Sequence, residues 1–147
     1  MAFWEISHST DTESNLTFAW DYWANVTNWS DPPARFELNG KFETGAQGST
    51  LFPGRDPMHW YLRKVIPYST ATIEIPLDNA RLSFEWNFVE LSETSTRLTQ
   101  RIALDGEEAG KFQAEVEASF QKNLPEGMKK LSAAIAAARL KTERVRS

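Results

Sequence analysis

The stretch EEAGKFQAEVEASFQKNLPEGMKKLSAAIAAARLKTERV, Glu107 to Val145, decides how the rest of the chain must fold. Its apolar residues fall at Phe112, Val116, Phe120, Leu124, Met128, Leu131, Ile135 and Ala138, in steps of 4, 4, 4, 4, 3, 4 and 3. That spacing places one stripe along one face of a helix. Pro125 lies inside the run, where it removes an amide donor and is expected to kink the helix. The apolar phase nevertheless carries across it. The sequence therefore predicts two collinear segments, Glu108 to Lys122 and Pro125 to Lys141, meeting at a hinge or a fixed kink. Their shared buried face runs about 50 Å at roughly 1.5 Å per residue. A face of that length needs an extended partner.

The residues before it supply strands. Ala2 to Thr10 alternates, with Trp4, Ile6 and His8 on one side. Asp11, Thr12, Glu13 and Ser14 then suit a helix start, and Ser14 to Ala24 carries Phe18, Ala19, Tyr22 and Trp23 at helical spacing. Val26 to Trp29 adds a further turn before Ser30-Asp31-Pro32-Pro33 stops it. Period 2 follows in Arg35–Asn39, Ser49–Phe52, Met58–Ile66, Thr70–Leu77, Arg81–Leu91 and Thr94–Leu104, separated by Gly, Pro, Asp and Asn. In the last two, Leu82, Phe84, Trp86 and Phe88, then Leu98, Gln100, Ile102 and Leu104, oppose polar residues. One buried and one solvated face marks an antiparallel sheet. The expected fold is α+β: a curved seven-stranded antiparallel sheet wrapped around a long C-terminal helix, with two short helices after the first strand. Residues 1–147 read as a single domain.

Composition narrows the function. Net charge is −4, which argues against a nucleic-acid surface. There is no Cys, so thiolate catalysis, disulfides and Cys-ligated metals are excluded. No run approaches the ~18 apolar residues of a membrane span. MAFWEISHSTD turns polar too soon for a signal peptide, so a cytoplasmic protein is expected. The triplets at Asn15, Asn25 and Asn28 then read as chance matches to glycosylation acceptors. Six Trp and nine Phe are many for this length, and such rings either fill a wide interior or line a pocket.

Three segments resemble a known superfamily. The first strand followed by Phe18-Ala19-Trp20 and Asn28-Trp29 resembles the opening of START-like (SRPBCC) helix-grip proteins. The hairpin Phe36-Glu37-Leu38-Asn39-Gly40 with Gly45-Ala46-Gln47-Gly48-Ser49 is similar to the glycine-rich hairpin of small bacterial members. Asn123-Leu124-Pro125-Glu126-Gly127-Met128-Lys129-Lys130-Leu131 is similar to the late-helix segment of the polyketide cyclase/dehydratase-like branch. The resemblance spans essentially the whole chain, and its motifs are structural. It implies a cavity between sheet and terminal helix, not one reaction.

The candidate lining of that cavity is Trp4, Phe36, Trp60, Phe84, Trp86 and Phe88 from strands, with Phe112, Val116 and Phe120 from the helix. Gln100 stands out because its amide shares the apolar face with Leu98 and Ile102, where it can donate to and accept from a ligand or bond a protein group. His8 shares the side of Trp4 and Ile6, and an imidazole is suited to acid/base work. Tyr61, Arg63 and Tyr68 are candidates to reach a ligand oxygen from the sheet end, although Arg63 alternates toward solvent. The weak catalytic candidates are His8, Gln100 and Tyr61. No His-x-x-x-His spacing, nucleophile elbow, phosphate loop or dinucleotide fingerprint is present, so no metal and no cofactor is expected. The basic cluster Lys129, Lys130, Arg139, Lys141, Arg144 and Arg146 suits a helix C-terminus without any partner.

The expected function is binding or carrying a small hydrophobic or amphipathic molecule, such as a lipid, isoprenoid or aromatic polyketide. The alternatives are a cyclase/dehydratase-like enzyme using the same cavity and a co-chaperone-like protein-interaction module. Monomer and homodimer both stay open.

Overall fold

The computed structural model describes residues 2–29 and 31–146, and the side chains up to residue 143. Seven strands form one sheet: β1 (Trp4–Thr12), β2 (Arg35–Asn39), β3 (Gln47–Leu51), β4 (Met58–Ile66), β5 (Thr70–Leu77), β6 (Ala80–Ser92) and β7 (Ser95–Asp105). Their order is β1-β7-β6-β5-β4-β3-β2, antiparallel throughout. Strands β2 to β7 are thus a meander, and β1 closes on the far side of β7. Helix α1 (Leu16–Ala24) follows β1, and α2 (Gln113–Phe120) and α3 (Asn123–Arg146) end the chain.

Register sorts the side chains into an inner face under the helices and an outer face. Ile6, Ile102, Phe84, Ile73 and Leu62 are successive partners across five strands, and His8, Gln100, Trp86, Ala71 and Val65 form the next row. Leu62 and Val65 both face inward because a register shift between Leu62 and Lys64 absorbs the odd residue. Side chains two apart share a face, so each strand's apolar alternation settles its orientation.

The helix layer is anchored to the sheet at two places. Near one end the rings of Phe84 and Phe120 meet edge-on, centroids 5.5 Å apart. At the other, Thr12 Oγ1 donates to the Ser132 carbonyl and Ser132 Oγ donates to the Asp11 carbonyl, both at 2.8 Å. Along the helices Val116, Leu124, Met128 and Ile135 are buried, as the stripe predicts, and Phe112, Phe120 and Leu131 are partly so.

Several boundaries differ from the sequence reading. The expected kink at Pro125 is not where the helix breaks. The break falls at Gln121 and Lys122, and Pro125 is the third residue of α3. A first-turn amide has no intrahelical acceptor, so a proline there sacrifices nothing. Strand β1 extends to Thr12, since Asp11 pairs with Arg97 in register and by a 2.9 Å ion pair. Helix α1 starts at Leu16, with Asn15 as its N-cap residue. The second short helix is one 3-10 turn, Val26–Asn28, capped by Asn25, whose side chain accepts from the Thr27 amide. Ser30 lies outside the described residues.

Candidate functional site

The inner face divides into two regions. Around Trp20 and Trp23 of α1 the space is packed with rings. Trp23 lies 5.1 Å from Trp86, 5.3 Å from Phe88 and 5.3 Å from Phe42 between centroids, and Trp20 lies 5.1 Å from Phe88. Trp29 continues the cluster to Phe36 and Trp60, each at 5.5 Å. Two indole nitrogens of the cluster are bonded within the protein: Trp60 Nε1 donates to Thr50 Oγ1 at 3.1 Å, and Trp29 Nε1 to the Trp23 carbonyl at 2.6 Å. Trp60, Trp86 and Phe88 are buried, and with Phe36 they belong to this ring cluster.

The other region is looser. Its floor, Ile102, Leu104 and Leu82, is buried, but Trp4, Ile6, Phe84, Ile75, Phe112 and Phe120 around it keep accessible surface. Val116 is buried behind them.

His8 and Gln100 are directly opposed on the inner face, between Leu98 and Ile102, which are 0% and 1% exposed. Thr10, next along the same side of β1, opposes Leu98. Among the described residues none of these three polar side chains has a hydrogen-bond partner. The polar atoms that are sealed from solvent without a hydrogen bond are Ser83 Oγ and Asp105 Oδ1, the latter ion-paired with Arg81 at 2.5 Å. The His8, Thr10 and Gln100 side chains, each half-buried, therefore open onto accessible space. Thr10 was discoverable from the alternation that selected His8, since the expected first strand, Ala2 to Thr10, already reaches it.

Tyr61 is on the outer face, opposite Glu74, because Trp60 and Leu62 on either side of it point inward. Its hydroxyl donates to Glu74, a bond that pushes the phenol above its ordinary range, and Arg63 Nη1 pairs with the same carboxylate at 3.0 Å. Tyr61 and Arg63 thus satisfy a buried Glu74 and do not approach the inner face. Tyr68 is exposed and donates to Asp21 at 2.9 Å, which also raises its phenol. His59 sits on the outer face, its Nδ1 3.0 Å from Ser49 Oγ.

Elsewhere, Arg139 pairs with Glu143 at 3.2 Å and lies 5.8 Å from the Phe18 ring centre. Lys129, Lys130 and Lys141 are exposed, and the side chains of Arg144 and Arg146 lie outside the described residues. Among the described residues no group of three His, Asp or Glu is placed to hold a metal ion, and no helix is long and apolar enough to cross a membrane. An open cleft of about 270 Å³ at the β2–β3 edge, lined by Pro33, Arg35, Leu51, Phe52 and Pro53, is separate from the inner face.

No protein-family profile and no curated protein sequence matches the chain. Solved structures do. The Zhui aromatase/cyclase of Streptomyces sp. R1128 superposes with a TM-score of 0.69 at 14% identity, over 90% of this chain and 93% of that one. Norcoclaurine synthase of Thalictrum flavum, solved with dopamine and hydroxybenzaldehyde, gives 0.67 at 11% identity, over 92% and 87%. A protein of Arthrobacter aurescens gives 0.63 at 19% identity, over 93% and 86%. At such identities the likeness speaks for architecture. The chain has the helix-grip fold, which these aromatase/cyclase and synthase structures share with it.

Proposed function

We propose that residues 1–147 act as one domain that binds or carries a small hydrophobic or amphipathic molecule between the sheet and the C-terminal helices. A lipid, an isoprenoid or an aromatic polyketide is the class of cargo. One observation carries this reading: apolar side chains of the looser region keep accessible surface on the very face that the helices cover. A sheet face with no ligand to hold would be expected to close around its own side chains, as it does around Trp20, Trp23, Trp86 and Phe88. Support of a coarser kind comes from the fold, which one similar structure puts in an aromatase/cyclase and another in a synthase solved with dopamine and hydroxybenzaldehyde.

The test is thermal unfolding against a panel of a fatty acid, an isoprenoid alcohol and a polycyclic aromatic. A ligand held at a hundred times its Kd stabilises by about 2.7 kcal/mol. A clear rise in Tm with at least one class is expected, and no rise with any would sink the reading. A second reading, a cyclase- or dehydratase-like enzyme, is favoured by the pairing of His8 with Gln100. Turnover unaffected by His8→Ala and Gln100→Ala together would remove it.

A further inference from the structure

We infer that His8, Gln100 and Thr10 form the polar anchor of this space, and that they select a ligand whose ring carries a neutral hydroxyl or enol. The inference rests on the pocket reading and adds orientation and chemistry to it. The buried polar side chains of the inner face are already satisfied: Thr12 donates to the Ser132 carbonyl, Thr96 to the Ser14 carbonyl at 2.8 Å, and Thr50 accepts from Trp60, while Glu90, opposite Thr96 at the end of β6, is exposed to solvent. The three unpartnered ones are neighbours, since His8 opposes Gln100 and Thr10 lies two residues along the same side of β1. They occupy the rows between the two anchors of the helix layer, the Phe84–Phe120 contact and the Thr12–Ser132 pair.

Leaving an amide and an imidazole unmatched beside fully buried Leu98 and Ile102 is unfavourable unless water or a ligand completes them. A carboxamide donates and accepts, a neutral imidazole does both through different nitrogens, and a threonine hydroxyl does both through one oxygen. The complement to that set is an oxygen that also both donates and accepts. A carboxylate or phosphate would want a cation, and the inner-face positions of β1, β6 and β7 hold no Lys or Arg. A ring hydroxyl fits, with its apolar body toward Phe84, Phe112 and Phe120.

The experiment compares 2-naphthol with 2-methylnaphthalene, matched in shape and differing in the hydroxyl, by NMR titration of the labelled protein. A site built to bond a hydroxyl discriminates against the analogue that lacks it. The naphthol is expected to bind at least about tenfold more tightly and to shift the Gln100 side-chain amide, a readout that needs no variant. Gln100→Leu, an apolar replacement on an apolar face, is expected to reduce the preference below about twofold while retaining 2-methylnaphthalene binding. Equal affinity of the two probes, or a preference that survives both Gln100→Leu and His8→Phe, would overturn the anchor and leave the pocket standing. Failure of both probes to bind would overturn the anchor, and would overturn the pocket with it only where the fatty acid and isoprenoid alcohol of the thermal panel fail too.

Discussion

The indole of Trp60 lies over Gly48, its partner across β3 and β4, and occupies the space that a side chain at position 48 would need. This explains why the hairpin carries glycine there: the bare backbone lets the ring reach Thr50 and close the aromatic cluster against Trp29. Gly48→Ala is therefore expected to push the ring out of place, at a cost of about 1–3 kcal/mol for overpacking. Chemical denaturation checks this through a lower midpoint at unchanged slope.

Tyr61 and Glu74 make a pH-dependent pair on the outer face. The hydrogen bond raises the folded-state phenol above its ordinary value, near 10 in an unfolded chain. The stabilisation is thus fully present below about pH 10 and is lost as pH rises through the folded-state value. Tyr61→Phe is expected to cost about 1–3 kcal/mol at neutral pH, because buried Glu74 loses one of its two partners. Above pH 10 the gap between variant and parent should begin to narrow, closing only once pH has passed the raised folded-state value. Unfolding free energies measured at pH 7 and pH 11 test both statements.

The reciprocal bonds between Thr12, Ser132 and Asp11 tie α3 to the edge strand. Thr12 is 1% exposed, so Thr12→Val should remove a bond without opening a void. A loss of about 0.5–1.5 kcal/mol is expected, with amide exchange in α3 faster than in the parent.

Pro125→Ala is expected to leave stability within about 1 kcal/mol and ligand exchange rates unchanged. The proline sits in the first turn of α3, after the break, where it neither kinks a helix nor hinges one. A marked slowing of exchange would restore a hinge at this residue.

The sheet and the helical stripe were legible because their periods, 2 and about 3.6, are written in the side chains themselves. Pro125 misled because the strongest helix breaker in the segment is harmless in a first turn, whereas Gln121 and Lys122, where the break falls, carry no breaking signal. Tyr61 was a misjudgement the alternation already contradicted, since its neighbours Trp60 and Leu62 point inward. The division of the inner face was not legible. Trp20 and Trp23 fill one part of it through contacts with Phe42, Trp86 and Phe88 that only tertiary packing creates. Nor was the opposition of His8 and Gln100, which depends on the first strand pairing with the last.

The most direct measurement is native mass spectrometry of the protein purified from its host without delipidation. A bound small-molecule mass that is released on denaturation is the expected result. A bare polypeptide mass in every preparation, from a protein that also shows no thermal shift with lipid, isoprenoid or aromatic ligands, would contradict a cargo-binding function.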